Sequence, residues 1–260
     1  MRNALKMGLR CLIAGLMLCA VEASANRVKA IYERPDNAGR CNDEAVDQES
    51  CKEGQKEALT KGCISREEYE YAVAQNVIPT CWGKRLGAVC TCGCFAPEVR
   101  IAVINASNES QWLRIDKVAE HPNTYKLWTF TNYTSFSNLK PKKRSLKRIT
   151  RGPELKPLVY VTAENGSVLG LTEEHAVLLS NGVMITAKSL EVGQELVGID
   201  GIPKRIVAIE RKAISGDVYN VLASGKSKLA HLISAEGLIV GDLAWQNSLS
   251  SELNSIVMRK

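Results

Sequence analysis

Aromatic residues are scarce. They make up 5% of the 260 residues, and only three are phenylalanine. There are three histidines. No cysteine follows Cys94, and no uninterrupted apolar run after the N-terminus reaches the roughly 18 residues that a membrane helix needs. Each shortage excludes something. Without a long apolar run, no transmembrane helix is expected in the mature chain. Without cysteine beyond Cys94, disulfide bonding is confined to the N-terminal part. With three histidines, few groups can shuttle protons near neutral pH.

The N-terminus reads as a targeting segment covering 1–25. Arg2, Lys6 and Arg10 precede an apolar stretch from Cys11 to Val21, and Ala23-Ser-Ala25 is a small-residue cleavage site, so the mature chain is expected to start at Asn26. This predicts a secreted, periplasmic or cell-surface protein, and a compact exported chain of this kind suits a bacterium. Export also alters the cysteine chemistry. Cys41, Cys51, Cys63, Cys81, Cys90, Cys92 and Cys94 remain in the mature chain, and an oxidising compartment favours their pairing. Seven is odd, so one stays unpaired in a monomer. If the six before Gly93 form three bridges, with 15 possible connectivities, the one left over is Cys94. The tight Cys90-x-Cys92-x-Cys94 spacing offers a metal site as an alternative, although oxidation and the departure from C-x2-C argue against it.

Residues 26–93 predict a small cysteine-rich, mainly α module. Residues 26 to 40 read as loop and Asp43 to Leu59 as helix-prone. Ser65-Arg-Glu-Glu68 fits a capping box at the start of a second helix. A module this small, with few large apolar side chains, needs covalent staples. After Cys94 the period changes from 3.6 to 2. Val99, Ile101 and Val103 alternate, and the stretches Trp112 to Val118 and Tyr125 to Thr131 read as strands. Residues 132–156 break the pattern. They carry eight basic residues against Glu154 alone, which accounts for the whole formal charge of +6. This basic loop is expected to be solvated, with an anionic surface or polyanion as a possible partner. It has no interleaved aromatics, so no specific nucleic-acid partner is expected. From Pro157 onwards short strands alternate with Asn165-Gly166, Asn181-Gly182 and Asp200-Gly201, all strong hairpin signals. Residues 244–260 read as a polar C-terminal tail. The fold class is therefore all-β after Cys94, closed or folded over.

Gly93-Cys94-Phe95, Leu171-Thr-Glu-Glu-His175, Ala187-Lys-Ser-Leu-Glu-Val-Gly193, Asp200-Gly201, Val218-Tyr-Asn220 and the stretch His231 to Asp242 occur in an order that resembles the Hint (hedgehog/intein) self-processing domain. The resemblance spans about 93–243, and the Hint-like unit is expected over 94–243. It implies a horseshoe-like folded-over sheet, Cys94 as nucleophile, Gly93-Cys94 as the scissile bond, Thr172 as a hydrogen-bond donor to the scissile peptide, and His175 as general acid.

The chemistry of the residues agrees. A thiolate beside a peptide bond attacks the preceding carbonyl through a five-membered ring, with no second molecule to position. Gly93 adds no crowding. A small nucleophile or acceptor (water, an amine, a thiol or a hydroxyl compound) then resolves the thioester. No metal or organic cofactor is required. The chain departs from the intein pattern where inteins end in His-Asn followed by Cys, Ser or Thr. Here Gly241-Asp242 precedes Leu243, so splicing is not expected. His231 and Asp242 are left as supporting residues. The rival reading is a secreted binding or adhesion protein whose Hint-like domain is inactive or redox-gated, for instance by a Cys92–Cys94 bridge.

Overall fold

A computed structural model of the protein describes residues 27–32, 34, 48–75, 77–91, 95–154 and 156–259. The expected targeting segment, Cys41, Cys92, Gly93 and Cys94 lie outside the described residues.

The N-terminal part contains helices α1 (Arg27–Tyr32), α2 (Gln48–Thr60) and α3 (Arg66–Ala74) and strands β1 (Val77–Trp82) and β2 (Arg85–Thr91). The capping box forms as the sequence predicts. Ser65 Oγ accepts from Glu68 N at 3.2 Å, and Glu68 Oε2 accepts from Ser65 N at 2.7 Å. Arg27 grips the same buried carboxylate through Nε and Nη2, at 2.8 and 2.7 Å. One expectation is corrected. Residues 27–32 are helix rather than loop. The described part of the module is mainly helical, as expected, and β1 and β2 add an antiparallel hairpin to it. Gly83, at φ +62°, makes the tight reversal, and Val77 and Val89 are buried on one side of the ribbon. Cys63 and Cys81 form a disulfide that ties the α2–α3 turn to β1. Cys51 and Cys90 are also disulfide-bonded, which removes Cys90 from the proposed soft-metal set.

The C-terminal part is mostly β, as expected. It contains β3 (Arg100–Ile104), β4 (Ser110–Arg114), helix α4 (Ile115–Glu120), β5 (Lys126–Phe130), β6 (Pro141–Pro153), β7 (Leu158–Ala163), β8 (Val168–Leu171), β9 (Ala176–Leu178), β10 (Met184–Thr186), β11 (Glu195–Val197), β12 (Pro203–Lys212), β13 (Asp217–Ala223), β14 (Leu232–Ala235), β15 (Leu238–Gly241) and a short helix α5 (Leu243–Gln246). One sheet runs β10-β9-β15-β14-β3-β5-β6-β13, with β4 paired to β3, and a second runs β11-β12-β7-β8. The three Asx-Gly hairpins are present, with Gly166, Gly182 and Gly201 at φ +83°, +88° and +77°.

Three expectations fail for physical reasons. The stretch Trp112 to Val118 is strand only as far as Arg114. Ile115 and Val118 are both fully buried, and only a helical turn brings positions three apart to one face. The basic stretch 132–156 is not a loop throughout. Strand β6 fills 141–153, pairing Lys142 with Thr129 and Arg151 with Tyr219. Long Lys and Arg stems lie along a sheet while their charges stay in water, so charge density alone does not oppose a strand. Residues 244–260, expected as a polar tail, are packed in part. Trp245 and Met258 belong to a second core cluster with Leu178 and Ile239, and Ile256 bridges to Val183.

Candidate functional site

The two sheets meet at Phe95. Its N–H donates to Tyr219 O at 2.6 Å, Tyr219 N donates back to Phe95 O at 2.9 Å, and Ala96 N donates to Gly170 O at 3.0 Å. The residue immediately after Cys94 is thus clamped between the end of β8 and β13, with its side chain fully buried. The Phe95 ring lies 4.1 Å, centroid to centroid, from the His175 ring at an interplanar angle of 55°.

Thr172 and His175 flank the turn that follows β8. Thr172 O accepts from His175 N at 3.1 Å, which closes the turn, and both residues are buried. His175 is completely enclosed. Its Nε2 is 2.9 Å from Gly241 O, and its Nδ1 is 3.4 Å from Gln246 Nε2. The hydrogen-bond directions can be followed from a main-chain donor. Val221 N donates to Asn220 Oδ1 at 2.8 Å, so the Asn220 amide nitrogen faces Gln246 and donates to Oε1 at 2.5 Å. That leaves the Gln246 nitrogen facing His175 Nδ1, which must accept. Nε2 then carries the proton and donates to Gly241 O. The imidazole is neutral, and burial pushes its pKa down from 6.5 to about 3, only partly opposed by the Gly241 bond.

His231 has the opposite arrangement. Its Nδ1 is 2.9 Å from Asp242 Oδ2 and its Nε2 is 3.3 Å from Gly225 O. Both nitrogens face acceptors, which suits the doubly protonated ring. Burial alone lowers the His231 pKa, but the hydrogen bond and charge of Asp242 outweigh it and raise it. Asp242 is fully buried and also accepts from Ala223 N at 2.8 Å and Ala244 N at 2.9 Å, capping α5. The structure therefore brings Phe95, His175, Asn220 and Gln246 into one buried cluster. His231 and Asp242 form a separate pair, joined to that cluster through the adjacent Gly241.

Gln246 is the residue that sequence reasoning missed, since it was assigned to the tail. The available signal was Asp242 followed by a short apolar turn, an N-cap pattern. Asn220 orients Gln246 through its side-chain amide. At Gly241 a Cβ would stand 2.8 Å from Trp245, so no side chain fits without rearrangement. The N-terminal module reaches this region. Glu174, beside His175, lies close enough to Tyr32 to act on its hydroxyl, whose pKa burial, the larger cause, and that carboxylate both push up. Lys156 Nζ donates to Gln75 Oε1 at 3.2 Å. Among the described residues, no three His, Cys, Asp or Glu side chains are grouped to hold a metal ion.

No family model and no curated protein matches the sequence. Among solved structures, the chain is similar to an intein from a hyperthermophile, at 16% identity over 58% of this chain and 99% of that one, with a TM-score of 0.50. It is also similar to a DnaB intein from Synechocystis, at 14% identity over 58% and 98%, with a TM-score of 0.47. At such identities the likeness concerns fold. The chain contains a Hint-type, intein-like fold.

Proposed function

We propose that the β domain cleaves the Gly93-Cys94 bond of its own chain, releasing the exported N-terminal module or transferring it to a small acceptor. The observation that carries this reading is the anchoring of Phe95 against His175. Covalent geometry keeps residue 94 within one Cα–Cα step, about 3.8 Å, of that anchor. The Cys94 thiolate attacks the Gly93 carbonyl, a tetrahedral oxyanion forms, the C–N bond breaks, and the amine of Cys94 takes up a proton to leave a thioester. Thr172 is the proposed donor to the oxyanion. His175 is the proposed proton carrier. Neutral at rest, it takes the thiol proton on Nδ1, displacing the Gln246 hydrogen bond, and, with a depressed pKa, passes it on to the departing amine. Water, an amine or a thiol then attacks the thioester carbonyl, and Cys94 leaves as the thiolate.

Cleavage at one junction, without splicing, is supported by the other end of the domain. Asp242 is enclosed, hydrogen-bonded by three donors and built into a helix cap, and Gly241 has no room for a catalytic side chain. The exposed Lys142, Lys147, Arg148 and Arg151 along β6 support an anionic surface or polyanion as a partner. The test is mass spectrometry of the mature chain under mild reduction, with and without hydroxylamine. A fragment ending at Gly93 and another beginning at Cys94 are expected, and neither should form from Cys94→Ala. A chain that stays whole with every nucleophile refutes the reading and leaves the redox-gated or binding role.

A further inference from the structure

A cavity of about 260 Å³ lies beyond the His231–Asp242 pair, between β13, α5 and the loop that follows it. Its character is divided. Leu222, Leu243, Ala244 and Leu249 form apolar walls, while Lys147, Lys226 and His231 line the rest, together with the polar side chains of Asn247 and Ser248. No Asp or Glu lines it.

The basic groups are held there by specific backbone features. Leu146 pairs with Ala223 and Arg148 with Leu222, so Lys147 is the extra residue of a β-bulge. Bulges bend a strand locally and re-aim the side chain they carry. Here the bulge turns Lys147 to the cavity. Gly225, on the rim, packs against Arg144. A Cβ there would lie 3.4 Å from the guanidinium carbon, and the same Cβ would stand 2.5 Å from Ala230. Glycine lets the chain pass between the two. Arg144 Nε is buried and has no hydrogen-bond partner among the described residues, a costly state for a charged donor. Arg144 and Lys226 enter no ion pair among the described residues. Asp242, next to the Leu243 wall, is already occupied by His231 and two main-chain amides.

We propose that this cavity binds a small molecule carrying one carboxylate or phosphate group on a short apolar chain. The oxyanion is met by Lys147 and Lys226, with Arg144 behind Gly225 adding positive charge. The chain lies against Leu222, Leu243 and Leu249. The volume falls just below the range of about 300–1,000 Å³ typical of drug-sized ligands, which suits a metabolite-sized molecule. Cleavage chemistry is not needed for this binding, so the site stands or falls independently of the proposed function. It is nevertheless adjacent to that chemistry, because the short helix whose Ala244 forms a wall also presents Gln246 to His175.

The experiment uses the full mature chain and three probes, hexanoate, hexyl phosphate and inorganic phosphate, titrated separately while the ring resonances of His231 are followed by NMR. Saturable shifts with hexanoate or hexyl phosphate are expected, and the two probes separate carboxylate from phosphate preference. Lys226 is exposed, so Lys226→Glu leaves the fold intact and is expected to weaken binding about tenfold or more. Lys212→Glu, on a distant strand, leaves binding unchanged. Absence of saturation with both hexyl probes overturns the proposal. So does equal weakening by the two substitutions, or inorganic phosphate binding as tightly as the hexyl probes.

Discussion

His175 Nε2 lies 2.9 Å from the main-chain oxygen of Gly241, a residue 66 positions away. This contact fixes the tautomer. The proton stays on Nε2, and Nδ1 keeps the lone pair on the side of Gln246. In the proposed cleavage, Nδ1 is the nitrogen of His175 that can take up a proton, and the fold sets which one it is.

His175→Ala removes that proton carrier. The initial rate of hydroxylamine-induced cleavage at Gly93 is expected to fall by a factor of about 10² to 10⁴, the usual range for a positioned acid–base group. The measurement is the time course of the two fragments by mass spectrometry. A variant that cuts as fast as wild type removes His175 from the mechanism even if cleavage itself is real.

Gln246 acts through His175 as a positioning residue, so its substitution has a spectroscopic signature. Gln246→Glu places a carboxylate beside Nδ1, and an opposite charge at that distance favours the protonated imidazole. The His175 pKa is expected to rise from about 3, and cleavage to slow. Nitrogen-15 NMR titration of the ring reads the pKa directly. An unchanged titration alongside slowed cleavage leaves Gln246 with packing alone.

The two buried histidines predict stability changes of opposite sign with pH. His175 has a folded pKa depressed to about 3 by burial. Between roughly pH 6.5 and 3 the unfolded chain therefore binds a proton that the folded chain refuses, and stability falls as pH drops. From pH 7 to 5 this group alone costs about 2 kcal/mol. His231, raised by Asp242, contributes stability that is complete below its unfolded pKa and is lost as pH rises through its folded one. Urea denaturation at pH 7 and pH 5 is expected to show the acid loss in wild type, reduced by about 2 kcal/mol in His175→Gln. An acid loss of the same size in the variant contradicts the assignment.

Breaking the His231–Asp242 pair from one side leaves a buried ring without its counter-ion and two main-chain amides with a weaker acceptor. Asp242→Asn is expected to cost about 3–5 kcal/mol, and His231 is expected to titrate below its ordinary value once burial acts unopposed. Chemical denaturation and NMR titration measure the two effects. A loss under 1 kcal/mol would mean that the pair is not closed in solution.

Much of the β domain was legible in the sequence because its signals are local. Asn-Gly and Asp-Gly fix hairpin reversals through the φ of a single glycine, and alternation fixes which face is buried. The Thr172–His175 pair is likewise local, closed by one main-chain hydrogen bond across a turn. The capping box at Ser65 depends on three consecutive steps of chain. These features need nothing from distant residues.

Strand β6 and helix α4 were misread because charge and β-propensity describe a segment alone, whereas pairing with β5 and β13, or the joint burial of Ile115 and Val118, depends on neighbours from elsewhere in the chain. The candidate site shows the same division. The sequence by itself determined which groups are available: a cysteine, Cys94, where the hydrophobic period changes, a Thr-x-x-His turn and an Asp ahead of a short apolar turn. Only the tertiary structure decided their states. His175 is neutral because the fold buries it completely, while Gln246 and Gly241, brought in from distant parts of the chain, set which nitrogen carries the proton. His231 faces acceptors on both nitrogens because Asp242, 11 residues away, folds back beneath it. Protonation depends on burial and on partners brought together across the chain, and neither is encoded at any single position.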